Sequence, residues 1–358
     1  MFVGATVPGM RRALVGFAIA ITTLVAFLLL LDPAAIWAVL RGASIPWFVA
    51  GLVAVLAAVA CWAESMRRVL LAAGGHVGPL RGFAAYATGM LAKQILPMGN
   101  AGGIAIMAYA IGREADLDLD RSLAVVTIGD FFGLVSTVVL AVAGIGYVVL
   151  TLPPSRLVDA ALLGVILVGL VFVSVAVMLV YWRSLLRRLV MAVAWFLRMT
   201  IGRVSDRVAS KLSPGGVDAG IQRYFATFDA AATDRRAMVT AAGLALLGWT
   251  LFAVPLFTSA AAVGEPIAFG LVLFVVPVGG LATAVPLPGG IGGVEFAVTG
   301  MLLAVTSIEP AVAAAIVLLY RLCVYWFLIL VGVSGLTVTA TDLRTLASDA
   351  ADEPVVEE

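Results

Sequence analysis

The chain has 358 residues, of which 63% are hydrophobic and 12% are charged, and its formal net charge is +1. This composition excludes a soluble globular protein and predicts an all-α polytopic membrane protein. Its single histidine, and its two cysteines within apolar stretches, argue against a metal site, a cofactor or a disulfide framework. A net charge so close to zero gives no reason to expect a nucleic-acid partner.

Apolar segments of membrane length recur along the chain, and about 20 apolar residues suffice to cross a bilayer core. They are 13–31, 46–63, 82–111, 122–150, 157–182, 237–263, 267–306 and 311–336. The first follows Arg11 and Arg12 and is too long for a removable signal peptide, so we expect an uncleaved signal anchor. Segments 82–111 and 267–306 are unusual, because proline and glycine interrupt both of them in the middle.

The distribution of basic residues gives the orientation, because cytoplasmic loops are enriched in lysine and arginine. Segment 183–236 carries ten of them and should be cytoplasmic, like the N-terminus with Arg11 and Arg12. The two assignments agree only if 82–111 enters and leaves the membrane on the cytoplasmic side, as a re-entrant hairpin. The same treatment of 267–306 predicts six full spans and two opposed re-entrant helical hairpins, with both termini cytoplasmic.

The remaining parts of the chain carry little structure of their own in this interpretation. Residues 1–341 form one integral membrane domain, and the acidic residues 342–358 form a disordered tail. The basic segment 183–236 either lies along anionic inner-leaflet head groups or is a plain solvated loop. Twenty arginines against two lysines, with abundant alanine and valine, indicate the plasma membrane of a prokaryote.

The two interrupted segments resemble each other. Residues 96–104 align with 287–294 when one gap is allowed, and Asp130 follows Pro97 by the same interval at which Arg321 follows Pro288. We therefore predict that segments 46–150 and 237–336 form an inverted repeat. This is a transporter architecture in which broken helices meet near the midplane of the membrane. Chance similarity of short Pro-Gly runs is the alternative. The predicted hairpin breaks are Pro97, Gly99, Gly102, Gly103, Pro286, Pro288, Gly289, Gly290, Gly292 and Gly293.

Four charged side chains lie deep within apolar segments. An unpaired arginine there costs several kcal/mol, so we expect Arg321 to pair with Glu295 and, by the same reasoning, Lys93 with Asp130. These pairs either lock the hairpins in place or line a polar cavity that binds a head group or couples to protons. The candidate translocation residues are Glu295, Arg321, Lys93, Asp130, Asn100 and Tyr325.

The run from Pro286 to Phe296, followed by residues 319–322 and Tyr325, resembles the flippase-like membrane domain of lysylphosphatidylglycerol synthases. The resemblance covers nearly the whole chain and implies lipid translocation between leaflets. It does not imply aminoacyl transfer, because the synthases carry that activity in a separate C-terminal domain. The first hairpin departs from the family, with Gly102-Gly103-Ile104 where a Gly-Asp or Gly-Glu pair and a following arginine are usual.

The leading hypothesis is a flippase, and not an enzyme, that moves a polar-headed or isoprenoid-linked lipid between leaflets. One alternative is an integral-membrane enzyme acting on a lipid-linked substrate, for which the candidate carboxylates are Glu114, Asp116, Asp118 and Asp120. Another is a scaffold for a partner synthase or glycosyltransferase, docked through 183–236. The expected partners are membrane lipids, with a second copy of the chain or a partner synthase as the protein partner.

Overall fold

The computed structural model describes residues 8–96, 99–151, 214–284 and 287–339, together with seven helical positions between 164 and 191. Pro97, Pro286, the acidic tail 342–358 and most of the basic segment 183–236 lie outside the described residues. Within the described ranges every regular element is a helix, which confirms the all-α class.

The four described ranges contain twelve α-helices. They are α1 (Pro8–Leu30), α2 (Pro33–Arg41), α3 (Ile45–Ala72), α4 (Pro79–Ile95), α5 (Gly99–Ala115), α6 (Leu119–Thr151), α7 (Pro214–Thr233), α8 (Arg235–Ala262), α9 (Phe269–Gly280), α10 (Gly293–Val305), α11 (Pro310–Arg321) and α12 (Phe327–Val338). Short 3₁₀ turns at Leu281–Ala284 and Pro288–Gly290 lie between α9 and α10, and a π-helical turn at Leu322–Trp326 joins α11 to α12.

Four helices of the described residues are long and apolar enough to cross a membrane: α3, α6, α8 and the continuous helix Pro310–Val338. The bent pair Ile21–Leu30 and Pro33–Arg41, with 86° between its axes, adds a fifth if it is counted as one span. The multi-pass class is therefore confirmed. The predicted span 157–182 lies almost entirely outside the described residues.

Helices α3 and α8 form the centre of the bundle and run antiparallel. The backbone N–H of Ser44, at the start of α3, donates to the carbonyl of Ala262 at the end of α8, at 2.7 Å. Near their other ends, Oγ of Ser65 donates to the carbonyl of Ala241, also at 2.7 Å. Gly248 allows the close approach, because a Cβ there would lie 2.6 Å from the Trp62 ring.

The interrupted segments fold into two antiparallel helical hairpins. In hairpin 1, formed by α4 and α5, Gly103 lies against the backbone of Lys93 and Gly89 lies against Met107. In hairpin 2, formed by α9 and α10, Gly279 lies against Val298. In each hairpin, later positions of the second helix lie against earlier positions of the first helix. The chain therefore reverses direction between α4 and α5, and again between α9 and α10.

Each hairpin packs against the long helix of the other half of the chain. Helix α4 runs antiparallel along α12, where Gly332 faces Leu91 and Gly335 faces the carbonyl of Ala84. Helix α9 runs antiparallel along α6, where Gly144 lies against the backbone of Phe274 and Gly270 against the Tyr147 ring. The two halves are therefore interlocked rather than side by side.

Helix α1 covers the outer side of hairpin 2. Thr23 lies against Gly292, and the rings of Phe27 and Phe296 meet edge to face with 5.1 Å between centroids. The chain then turns sharply at Asp32, whose carboxylate caps α2 by accepting from two backbone N–H groups. Helix α2 consequently crosses the end of the bundle and packs on α11 through Ile36.

Candidate functional site

Arg321 and Glu295 form a buried ion pair within hairpin 2 and the helix beside it. Nε of Arg321 donates to Oε1 of Glu295 at 2.8 Å. The two side chains are only 8% and 4% exposed. Breaking a pair this deeply buried is costly, because the charge that remains has no counter-ion. This is one of the two pairings predicted from the sequence, and the structure contains it.

The glycines before Glu295 place its carboxylate at the start of α10. Gly292 has a φ of 85° and precedes the first helical residue. Its backbone N–H donates to Oε2 of Glu295 at 2.7 Å. The first N–H groups of a helix have no partner inside the helix, so this bond satisfies one of them. Both oxygens of Glu295 are thus used inside the protein.

Gly289 and Tyr325 complete the surroundings of Arg321. Nη2 of Arg321 donates to the carbonyl of Gly289 at 2.9 Å, and the guanidinium lies 4.6 Å from the centroid of the Tyr325 ring. Gly289 has a φ of 57°, and the Tyr325 ring occupies the space that a Cβ would need. Tyr325 lies in the π-helical turn after Arg321, a distortion that frequently marks functional sites.

Lys93 and Asp130 form the second predicted pair, between hairpin 1 and α6. Nζ of Lys93 donates to both carboxylate oxygens of Asp130, at 2.8 and 3.0 Å. The side chains are 22% and 36% exposed, so this pair is much more accessible than Arg321 and Glu295. Asn100 lies in the first turn of α5, close in sequence to the reversal.

The predicted break of hairpin 1 is wider than the one observed. Gly99, Gly102 and Gly103 were expected to interrupt the helix, yet all three are helical, because α5 already begins at Gly99. Gly103 serves packing instead: a Cβ there would lie 2.8 Å from Cα of Lys93. In hairpin 2, Gly293 is likewise the first residue of α10, whereas Gly289, Gly290 and Gly292 have positive φ.

Asp130 and Arg321 occupy corresponding positions in helices that run in opposite directions. Asp130 in α6 and Arg321 in α11 lie equally far from the first residue of their helix, at about 16 Å along the axis. Helix α6 is antiparallel to α5, α5 to α4, and α4 to α12, so the two charged helices run in opposite directions. The turn at 288–290 of hairpin 2 contacts α4 of hairpin 1, so the two hairpins touch each other.

Two of the four carboxylates considered for a catalytic role, Glu114 and Asp120, lie near arginines. Asp120 pairs with Arg223 of α7, and the carboxylate of Glu114 lies 4.0 Å from Nε of Arg81. Within the described ranges, no group of three or more histidine, cysteine, aspartate or glutamate side chains could hold a metal ion.

Two features around Arg321 were not predicted from the sequence. They are the carbonyl of Gly289 as an acceptor and the π-helical turn, and both depend on backbone geometry. Thr299 was missed as well. It lies one turn beyond Glu295, is 3% exposed, and its hydroxyl has no hydrogen-bond partner among the described residues.

Comparison with known proteins agrees with the membrane fold. The sequence profile described as "Lysylphosphatidylglycerol synthase TM region" matches residues 13–332. A UPF0104 membrane protein of Methanothermobacter thermautotrophicus is 23% identical over 330 residues, which cover 89% of this chain and 93% of that protein. The chain therefore belongs to the lysylphosphatidylglycerol synthase TM region family.

Proposed function

We propose that the protein moves a lipid with a polar or isoprenoid-linked head group between the leaflets of the plasma membrane of a prokaryote. The observation that carries the proposal is the pair of opposed hairpins, each bearing one half of an intramembrane ion pair. Charges inside a membrane are costly and rarely lie there without a role in a substrate or ion pathway. Two such pairs on oppositely directed helices suit a substrate that must be received from both sides.

Correspondence between the two halves supports an inverted repeat. Helices α3 and α8 have the same length and run antiparallel. The interval from Gly74 to Gly264 equals the interval from the first residue of α3 to the first residue of α8. Each of these glycines lies in the loop before a hairpin, and each has a φ of 85°. Gly144 and Gly335 are separated by almost the same interval. Gly144 contacts Phe274 of α9 and Gly335 contacts Ala84 of α4, at equivalent positions of the two helices. Such symmetry allows the two halves to open alternately to the two sides.

In this mechanism a hairpin moves relative to the long helix that carries its counter-ion. Withdrawal of hairpin 2 from Arg321 would leave the guanidinium without Glu295, and a polar head group would take its place. Withdrawal of hairpin 1 would leave the carboxylate of Asp130 without Lys93, and a polar head group would take the place of Lys93. The hairpins enter from opposite sides, with both chain termini cytoplasmic, and the acyl chains stay in lipid while the head group crosses between the tips.

Reconstitution into liposomes tests the proposal. Fluorescent lipids with varied head groups are placed in one leaflet, and dithionite quenching measures their transfer. We expect transfer by the unsubstituted protein, and loss of at least tenfold in rate for Arg321→Ala and Glu295→Gln, since a tenfold change needs only about 1.4 kcal/mol in the barrier. Glu64→Gln is the matched control, because the partners of Glu64 among the described residues are Arg67 and Arg68 of its own helix.

The opposite results would remove the proposal. Full transfer activity in both hairpin-2 variants would show that the site does not carry the head group. Absence of transfer for every lipid would instead favour an enzyme or a scaffold for a partner synthase, with the basic segment 183–236 as the docking surface.

A further inference from the structure

Helix α2 lies across the end of the bundle instead of continuing α1. Its axis makes an angle of 86° with the second half of α1. Thr23 of α1 lies against Gly292. One turn later in both segments Phe27 lies against Phe296, so α1 runs in the same direction as α10. Helix α10 is aligned with α9, and α9 with the long span α6. With α1 along the spanning direction, α2 lies close to the plane of the membrane.

Helix α2 is not needed to complete the crossing that α1 makes. The 23 residues of α1 extend over about 35 Å, whereas the hydrocarbon core of a bilayer is about 30 Å thick. The 9 residues of α2 extend over about 14 Å. Helix α1 is thus long enough to span by itself, and α2 is left at the membrane surface that α1 reaches.

One face of α2 packs on protein and the other face is free of it. Ile36 is 3% exposed and packs with Ala314 and Ala315 of α11. The opposite face consists of exposed residues at the spacing that places side chains on one side of a helix: Ala34, Trp37, Ala38 and Arg41. This face is open to the surroundings of the protein.

The free face has the chemistry of a membrane interface. The guanidinium of Arg41 lies 5.2 Å from the centroid of the Trp37 ring, which is itself 56% exposed. Arg41 forms no ion pair within the described ranges, and the carboxylate of Asp32 is engaged in capping α2. Tryptophan is enriched where hydrocarbon meets head groups, and arginine extends its charge to the same level. In hydrocarbon the guanidinium would be uncompensated.

Other aromatic side chains lie at the same end of the bundle. Trp47 is in the first turn of α3 and is 45% exposed. Its ring meets Phe257 of α8 edge to face at 6.4 Å, and Phe257 meets Phe269 of α9 at 6.0 Å. Trp37 and Trp47 are joined by a short stretch of chain between α2 and α3. Exposed tryptophans on neighbouring elements are typical of an aromatic belt, so they indicate where the head-group layer meets the protein.

We propose that α2 is an interfacial helix that docks on the lipid head-group layer of one leaflet through Trp37 and Arg41. The occupant of its free face is the bilayer surface itself. This goes beyond the proposed function, since it holds whether or not the protein moves a lipid. The docked helix fixes the depth of the end of α1, the helix that covers the outer side of hairpin 2.

Fluorescence quenching in liposomes measures the depth of α2. The full-length protein carries serine in place of Cys61 and Cys323, and Ala38→Cys is labelled with the fluorophore NBD. It is reconstituted in phosphatidylcholine vesicles that contain lipids with a nitroxide quencher on the head group or in the middle of the acyl chain, and iodide quenches from the water. We expect the label to lie about 15 Å from the bilayer centre, at the edge of the hydrocarbon core.

Val53→Cys in the same background is the matched reference for a deep position. Val53 is 62% exposed and lies about 12 Å along α3 from the first residue of that helix. Its label should be quenched more strongly by the nitroxide in the acyl chain than by the one on the head group. The label at Ala38→Cys should show the reverse order.

Substitution of the docking side chains tests their role. Trp37→Ala should shift the label at Ala38→Cys toward water, with less quenching by the head-group nitroxide and more by iodide. Arg41→Gln should shift it in the same direction, because the amide carries no charge. Both side chains are exposed, so the contact of Ile36 with α11 remains. Leu150→Ala, at an 86% exposed position near the end of α6, is the control and should leave the depth unchanged.

Four results would overturn the inference. Stronger quenching of the Ala38→Cys label by the acyl-chain nitroxide would make α2 the second half of a bent span. Quenching by iodide alone would place α2 in water. Protection from both kinds of quencher would show that a protein, such as a second copy of the chain, covers this face. An unchanged depth in both Trp37→Ala and Arg41→Gln would show that these side chains do not hold the helix at the interface.

Discussion

Asp130 and Arg321 lie at the same position in oppositely directed helices and carry opposite charges. Each is equally far from the start of its helix, and each pairs with the hairpin of its own half, Asp130 with Lys93 and Arg321 with Glu295. In the first half the acidic residue of the pair, Asp130, lies on the long helix α6. In the second half the acidic residue, Glu295, lies on the hairpin. The two long helices therefore carry opposite fixed charges at their pairing positions, aspartate on α6 and arginine on α11.

Removal of Arg321 should destabilise the protein more than removal of Lys93. Arg321→Ala leaves Glu295 buried without its counter-ion, which typically costs roughly 3–5 kcal/mol. Lys93→Ala leaves Asp130, which is 36% exposed and can be hydrated, so its cost should be about 1 kcal/mol. Thermal unfolding in detergent, followed by tryptophan fluorescence, measures the difference. Equal losses for the two variants would contradict the difference in burial between the two pairs.

Gly289→Ala should disrupt hairpin 2 through Tyr325. The substituted residue would need a positive φ, and its Cβ would collide with the Tyr325 ring. We expect a loss of about 1–3 kcal/mol in stability. Gly289→Ala combined with Tyr325→Ala should recover part of it, since the collision is gone and only the backbone strain remains. A double variant no more stable than the sum of the two single changes would show that the ring is not the obstacle.

The interlocking of the two halves predicts equal sensitivity at Gly144 and Gly335. Leucine at either position would force α6 away from α9 or α12 away from α4, because both glycines face backbone atoms. We expect losses of about 1–3 kcal/mol in stability at each. Gly146→Leu is the matched control, since nothing lies within 4 Å of the Cβ position there. The measurement is the midpoint of thermal unfolding in detergent, and a tolerant Gly335→Leu would refute the packing of α4 on α12.

Cysteine labelling tests the orientation of the hairpins. In a background with Cys61 and Cys323 replaced by serine, Asp118→Cys between α5 and α6 should react with an impermeant maleimide only after the membrane is opened. Ala43→Cys, between α2 and α3, should react in intact cells, because α3 carries the chain to the other side. Labelling of Asp118→Cys from outside would exclude a hairpin that enters from the cytoplasm.

The sequence predicted the helical class and both ion pairs because each follows from a strong energetic rule. A charge in an apolar segment needs a partner, and the nearest segment supplies it, as with Lys93 and Asp130. The predicted width of the break in hairpin 1 was wrong, because a glycine is compatible both with a broken helix and with a close contact between helices. Only the neighbour of Gly103, the backbone of Lys93, distinguishes the two roles.

Features that depend on exact backbone geometry could not be predicted. The π-helical turn before Phe327 is a feature of this kind, and so is the use of the Gly289 carbonyl by Arg321, which joins two separate segments of the chain. No residue pattern in the local sequence specifies either feature. The unsatisfied hydroxyl of Thr299 belongs to the same class, since threonine in a helix ordinarily bonds to its own backbone.

The packing of α4 on α12 also sets an order of events during synthesis. Helix α4 ends at Ile95, but the helix it packs against begins only at Phe327, near the end of the chain. The face of hairpin 1 that contains Ala84, Ala87 and Leu91 must therefore stay uncovered in the membrane until α12 has been synthesised. A chain truncated before α12 would leave that face open and become a substrate for membrane quality control. The packing of hairpin 1 is thus complete only when α12 has been inserted.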